Sequence, residues 1–259
     1  MKETVLITGA SSGIGKAFAL EYAKLGKNLV LTARSEDKLE SLKKELEAKF
    51  SIEVKLIVLD LIKENSAKLI YEEIEREKIQ IDILINNAGF GISGEFHTRD
   101  FLSQRNQIML NNVSLVDLTY YIIQGMKKNG KGTIINIAST AAFQSLPYMS
   151  VYAATKAFVL SFSEGLYEEY KSYGIKVTAV CPGPTSTNFF DTAGLAGVGE
   201  KRTPESVVET TFKALKKDKP FIVDGKVNYI VSQLSRFLTR KRTIAISGKV
   251  LRKISREEI

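Results

Sequence analysis

The chain has 259 residues, 44% hydrophobic and 25% charged, a composition that excludes a disordered or low-complexity protein and supports a large core. Its one cysteine, Cys181, excludes an internal disulfide, and together with a single histidine, His97, it leaves no His/Cys set for zinc. The formal net charge of +8 is uneven, because residues 226–259 hold nine Lys and Arg against two Glu, a balance of +7 that leaves about +1 for residues 1–225. No stretch reaches the roughly 18 uncharged apolar residues of a membrane span, and MKETVLITGASSG has too short an apolar run for a signal peptide. A cytoplasmic protein is expected. No Pro/Gly/Ser-rich linker or repeat divides the chain, so we expect one catalytic domain over 1–225 and a basic amphipathic helical extension over 226–259, packed on it.

ETVLIT (3–8) reads as a short buried strand. GASSGIG follows, and then an apolar-periodic helix with Phe18, Ala19, Tyr22, Ala23 and Leu25. Strand, glycine-rich turn and helix bring backbone N–H groups and a helix N-terminus to a phosphate. Gly9, Ser11, Ser12, Gly13, Ile14 and Gly15 are therefore candidate phosphate-binding residues, although a tight turn without a ligand has the same pattern. NLVLTAR (28–34) is the second strand. Its tip reads Ala33-Arg34-Ser35, with no carboxylate for a free ribose 2′-hydroxyl. A guanidinium and a hydroxyl favour a 2′-phosphate, hence NADP over NAD; Glu36 or Asp37 near the ribose is the alternative.

A charged amphipathic helix is expected over 36–49. VKLIVLDL (54–61) is a third strand closing on Asp60 and Leu61, where Asp60 either accepts from an adenine amino group or caps the next helix. IDILINNAG (81–89) is a fourth, and Asn87, Ala88 and Gly89 suit close backbone approach to a cofactor. Strands alternating with helices predict βαβ units and a parallel sheet. The helical segment 100–128 is interrupted by Asn111 and Asn112. Asparagine is poor inside a helix, so the pair signals a kink or a polar task, with one exposed and one satisfied Asn as the plainer expectation.

GTIINIAS (132–139) is the fifth strand and ends at Ser139. On the next helix, about 150–173, Tyr152 and Lys156 stand at i and i+4 and share a face. An ammonium beside a phenol favours the phenolate, so the Tyr152 pKa is expected below its reference of about 10, which makes it a proton donor or acceptor nearer neutral pH. IKVTAVCPGPTSTNFF supplies the sixth strand and a hydroxyl-rich loop. Pro182, Gly183, Thr185, Ser186 and Thr187 are placed there for a nicotinamide amide or a phosphate, while Phe189 and Phe190 either wall a substrate pocket or join the core. A helix near 203–217 and a strand PFIVDG (220–225) complete the sheet. In the tail, Val227, Ile230, Val231, Leu234, Phe237 and Leu238 recur at helical spacing. This stripe is expected to pack on the body and roof the substrate pocket; a surface helix drawn to anionic lipid is the alternative. No base-stacking pattern accompanies the charge, so no nucleic acid is expected.

In order and spacing, Thr8-Gly9-x3-Gly13-x-Gly15, Asp60, Asn86-Asn87-Ala88-Gly89, a mid-helix Asn, Ser139, Tyr152-x3-Lys156 and Pro182-Gly183 resemble the short-chain dehydrogenase/reductase family, of the NADP-preferring carbonyl reductase type, over about residues 3–225. The resemblance implies an α/β Rossmann-type fold, a doubly wound parallel sheet of about seven strands in the order 3-2-1-4-5-6-7. It implies a Ser-Tyr-Lys-Asn catalytic group, and the pattern Asn-x-x-small-x4-Thr, ending on Ser114 and Thr119, selects Asn111 with Asn112 as the fallback. It further implies reduction of a ketone or aldehyde by hydride from NADPH, or the reverse. Ser139 then holds the carbonyl oxygen and Tyr152 protonates it. Lys156 holds the nicotinamide ribose and lowers the Tyr152 pKa, while Asn111 holds a relay water. The pocket is expected from the loop after Pro182 and from 190–205. The family's habit implies a homodimer or homotetramer through the helices at 107–127 and 150–173. A non-catalytic NADP-binding regulatory protein and a membrane-surface reductase of a lipid or sterol ketone are the other readings.

Overall fold

The computed structural model describes residues 2–195 and 200–254. Seven runs rich in Val, Ile and Leu form its strands: β1 (Thr4–Thr8), β2 (Asn28–Ala33), β3 (Val54–Val58), β4 (Ile83–Asn86), β5 (Gly132–Ile137), β6 (Ile175–Cys181) and β7 (Phe221–Val223). They make one sheet in the order β3-β2-β1-β4-β5-β6-β7, parallel throughout. The strand order reverses between β1 and β4, and a crevice opens there beyond the carboxyl ends of the strands.

Helices cover both faces, which is why the central strands read as unbroken apolar runs. α1 (Gly13–Lys24), α2 (Glu36–Lys49) and α8 (Pro204–Lys216) lie on one face, over a core of Phe18, Tyr22, Leu39, Leu46 and Val207. α3 (Ser66–Arg76), α5 (Ser114–Asn129) and α6 (Ser150–Tyr170) lie on the other, over Ile70, Leu118, Ile122, Met126 and Leu166. Burial of each such side chain is worth about 1.5–3 kcal/mol. Polar residues inside this second layer are paired. Asn86 donates to Thr119 Oγ1 at 3.0 Å and to Asn136 Oδ1 at 2.9 Å, and Asn136 donates to Ser163 Oγ at 2.9 Å. This chain ties β4, β5, α5 and α6 together, and the low dielectric around it makes every member costly to remove.

Several expected boundaries move. The third strand stops at Val58, because the Asp60 carboxylate accepts the Ile62 N–H at 3.1 Å and turns the chain. Asp60 therefore does not cap α3, whose N-cap is Asn65. The fifth strand stops at Ile137, and Ser139 instead caps a turn of 3-10 helix at Thr140–Phe143, accepting from the Ala141 N–H at 3.1 Å. The helix over 100–128 is three pieces: α4 (Phe101–Ile108), a π-helical turn (Met109–Val113) and α5.

The extension is helical, as α9 (Lys226–Leu234) and α10 (Arg240–Ile254), a short helix α7 (Phe189–Thr192) having come earlier in the chain. Most of the stripe expected to pack on the body, on α9 and at Phe237 and Leu238 just after it, faces outward, although Val231 also lines the crevice. Val227 is 74% and Phe237 84% exposed, and Ile230, Val231, Leu234 and Leu238 are exposed as well. Polar side chains face inward because the surface beneath is backbone carbonyl. Asn228 donates to Asp224 O at 2.7 Å, Ser235 to Phe143 O at 3.1 Å, and Ser247 of α10 to Ser145 O at 2.9 Å. Carbonyls near the interior need donors, and an apolar stripe supplies none.

Candidate active site

The crevice is built from the segments that leave the carboxyl end of each strand. After β1, the turn Gly9–Ile14 leads into α1, and Gly9, Ser11, Ser12, Gly13 and Ile14 line the crevice. The Ser12 side chain makes no capping bond and the first turn of α1 holds no acid, so the helix N-terminus keeps its affinity for an anion. Gly15 lies behind the turn, where a Cβ would collide with the Gly9 carbonyl. After β2 come Arg34 and Ser35, and after β3 Asp60 and Leu61, all lining. Arg34 is exposed and has no ion-pair or hydrogen-bond partner among the described residues. Glu36 and Asp37 begin α2 and do not line the crevice.

After β4, Asn87, Ala88 and Gly89 line the crevice and are clamped to the first turn. Thr8 Oγ1 accepts the N–H groups of Asn87 at 2.9 Å and Ala88 at 3.0 Å, and Asn87 Nδ2 donates to Thr8 O at 2.8 Å. After β6 come Pro182, Gly183, Thr185 and Thr187. This loop is pinned by a pairing of Thr185 with Arg202, whose guanidinium bonds the buried Asp224. Ser186 does not line the crevice.

Ser139, Tyr152 and Lys156 meet at the deep end. Ser139 hydrogen-bonds the Tyr152 side chain. Lys156 is buried, donates to Ile137 O at 2.7 Å, and its Nζ lies 5.9 Å from the centre of the Tyr152 ring. The expected depression of the Tyr152 pKa is reversed: burial pushes the phenol up to about 12, with the Ser139 bond opposing. Burial also brings Lys156 down to about 8. Desolvation acts against the charged form of both groups, yet with a pKa of about 8 the Lys156 amine is still largely protonated at neutral pH. Cys181, behind them, is buried and pushed up to about 12 by desolvation, which makes it an inert thiol.

Asn111 and Asn112 are both buried, not one exposed and one satisfied. The π-helical turn explains this, since its extra residue lets two consecutive side chains turn inward; such turns recur at functional sites. Asn111 accepts the Phe90 N–H at 3.1 Å, donates to Phe90 O at 3.0 Å and donates to Thr155 Oγ1 at 3.0 Å. Asn112 donates to Thr155 O at 2.9 Å. Asn111 does not line the crevice but lies directly beneath it. A Cβ at Gly89 would stand 2.9 Å from Asn111 Oδ1 and 3.5 Å from Lys156 Nζ, so only glycine lets these polar atoms converge under the crevice.

The whole cavity has a volume of about 650 Å³. Phe189 and Phe190 do wall it, and the Phe189 ring lies 5.2 Å from that of Tyr152. Leu146, Met149, Leu195, Val231 and Leu251 complete an apolar wall, of which Leu195 falls in the expected pocket segment and Val231 in the stripe expected to roof the pocket, while Leu146, Met149 and Leu251 were missed by the sequence reading. Helical periodicity gave the tail its part in this wall, and of the stripe it picked out, Val231 lines the cavity while the others do not. Of the expected pocket segment 190–205, residues 196–199 lie outside the described residues. Among the described residues, no group of side chains suits a metal ion.

A long crevice lined first by backbone donors and then by an unpaired guanidinium fits a phosphate-bearing dinucleotide. Its deep end offers a hydroxyl, a phenol and an amine to the atom being transformed. The sequence pattern of the short chain dehydrogenases matches residues 3–195. A very-long-chain 3-oxoacyl-CoA reductase of Macaca fascicularis is 32% identical over 92% of this chain and 78% of its own. A short-chain dehydrogenase from Sphingobium yanoikuyae, solved in complex with NADPH, superposes with a TM-score of 0.82 at 33% identity, over 91% of this chain and 94% of that one. A bulky-bulky ketone specific alcohol dehydrogenase from Comamonas testosteroni gives 0.79 at 32% identity, over 91% and 92%. With the matched pattern covering most of its length, the chain belongs to the short chain dehydrogenase family and is an oxidoreductase.

Proposed function

We propose that the protein reduces a bulky, largely apolar ketone to an alcohol with NADPH, and that Tyr152 is the proton donor. The observation that carries this reading is the placement of the Ser139–Tyr152–Lys156 group between a dinucleotide-sized crevice and a wall of Leu146, Met149, Phe189, Phe190, Leu195 and Leu251. Bound NADPH supplies the hydride, and the protein supplies orientation and the proton. Gly9–Ile14 hold the pyrophosphate at the α1 N-terminus. Arg34 would hold the 2′-phosphate, beside Ser35. Ser139 donates to the substrate carbonyl oxygen and fixes it against the phenol.

The raised pKa suits this direction, because Tyr152 stays protonated at neutral pH and is poised to give its proton to a developing alkoxide. The Lys156 ammonium holds the nicotinamide ribose and offsets the phenolate left behind. Asn111 acts from beneath, fixing Phe90 and the Thr155 turn of α6. The similarity to a 3-oxoacyl-CoA reductase and to a bulky-ketone dehydrogenase supports a 3-oxoacyl or comparably large ketone over acetone-sized substrates. Exposed Ile108, Val113, Tyr120 and Phe158 on α4, the π-helical turn, α5 and α6 suit pairing of copies through these helices as a dimer or tetramer.

The test is NADPH oxidation over ketones graded from acetone to long 3-oxoacyl thioesters. Efficiency that climbs with chain length and falls by an order of magnitude or more with NADH supports the reading. A preference for the smallest ketones, or no NADPH oxidation with any carbonyl, contradicts it.

A further inference from the structure

We propose that the outer face of the C-terminal extension docks on an anionic lipid bilayer surface. The first observation is its inverted polarity. Asn228, Ser232, Ser235, Thr243 and Ser247 face the body, while Val227, Ile230, Leu234, Phe237, Ile246 and Val250 face solvent. A helix that serves only to cover a pocket turns its apolar side down; this one turns it out. The second is charge. Residues 226–254 hold eight Lys and Arg, all exposed, and no Asp or Glu. Apolar side chains ringed by cations on a short helix suit the boundary between headgroups and acyl chains. No helix among the described residues is long and apolar enough to cross a membrane, so the contact is peripheral.

A second copy is a poorer occupant. Two-fold pairing sets the same patch against itself and would oppose eight cations to eight more. The patch is also placed to matter for substrate. Val231 of α9 and Leu251 of α10 line the cavity, so the docking face and the apolar wall are two sides of the same helices. Entry of an apolar substrate from the bilayer rests on the proposed ketone reduction; docking itself does not, and it is read without turnover.

The test is co-sedimentation of the full chain with phosphatidylcholine vesicles, with and without one third phosphatidylglycerol. Uptake is expected on the anionic vesicles, roughly tenfold lower on the neutral ones and strongly reduced by high salt. Ile230→Ser with Phe237→Ser is expected to lower uptake about tenfold, as is Lys241→Glu with Arg242→Glu. None of these residues lines the cavity, so kcat on a water-soluble ketone should stay unchanged and report an intact fold. Absent uptake, equal uptake on both vesicles, or uptake untouched by both double variants would overturn the proposal. A dimer that Ile230→Ser with Phe237→Ser dissolves, without vesicle uptake, would give the face to a second copy. Binding to RNA with none to vesicles would overturn it as well.

Discussion

The crevice and the C-terminal extension solve one problem, polar groups near the interior, in opposite ways. Around the crevice, short polar side chains meet groups of distant segments: Thr8 with the backbone of Asn87 and Ala88, and Asn111 with Phe90 and Thr155. The polar atoms are consumed inside and the site becomes rigid. In the extension, helices α9 and α10 bring Asn and Ser down onto backbone carbonyls of the body and are left with an apolar outer face. One region is built to hold small-molecule groups in fixed places. The other is attached by its polar side and presents hydrophobic surface.

Three variants and one titration sharpen that contrast, beginning with the largest effect expected. Asn111→Leu removes three hydrogen bonds and strands the Phe90 N–H and C=O. The expected cost is about 2–4 kcal/mol, read as a fall of roughly 5–15 °C in Tm, with kcat falling too; unchanged Tm and kcat would show that the rigidity lies elsewhere. Arg34→Ala is expected to weaken NADPH by about 10–100-fold, as for loss of a charge-assisted pair, with NADH nearly unaffected. Equal losses for both cofactors would remove Arg34 from the 2′-phosphate.

The titration concerns Lys156, which burial brings down to about 8. A depressed lysine is charged below that value and neutral above it, so the ammonium that holds the ribose is lost as pH rises through 8. NADPH affinity should fall about tenfold for each pH unit above 8, and Lys156→Met should bind weakly with no such slope. A flat profile in the wild-type chain would contradict the assignment. The smallest effect belongs to the extension. Leu251→Trp, which narrows the apolar wall, should raise KM several-fold for the longest ketones and leave small ketones alone.

The contrast also explains what was legible in the sequence. Central strands buried on both faces are largely apolar, and even the half-exposed edge strands keep a run of Val, Ile, Leu and Phe, so all seven stood out, as did the spacing of Ser139, Tyr152 and Lys156. The surroundings of these residues did not. The Tyr152–Lys156 spacing predicts proximity, but burial decides the sign of the phenol's shift, and beside the neighbouring Met149 the residues packed there include Phe189 and Leu251, which are far away in sequence. The family pattern selected Asn111 with Asn112 as the fallback, but only the π-helical turn, with partners at Phe90 and Thr155, shows that both are buried and gives them separate tasks. In α9 the periodicity revealed an amphipathic helix correctly. It carried no information about which side meets the body, because that depends on bare carbonyls at Phe143 and Asp224 that leave no mark in the sequence.

The central claim is that Tyr152 gives the proton in carbonyl reduction. Its most direct test compares Tyr152→Phe with wild type on the best ketone, with NADPH binding followed by fluorescence. The account predicts a loss of turnover of at least about 100-fold, as for removal of a general acid, with the NADPH Kd changed by less than about threefold, since the phenol hydroxyl is aimed at the substrate. Near wild-type turnover in Tyr152→Phe would contradict it.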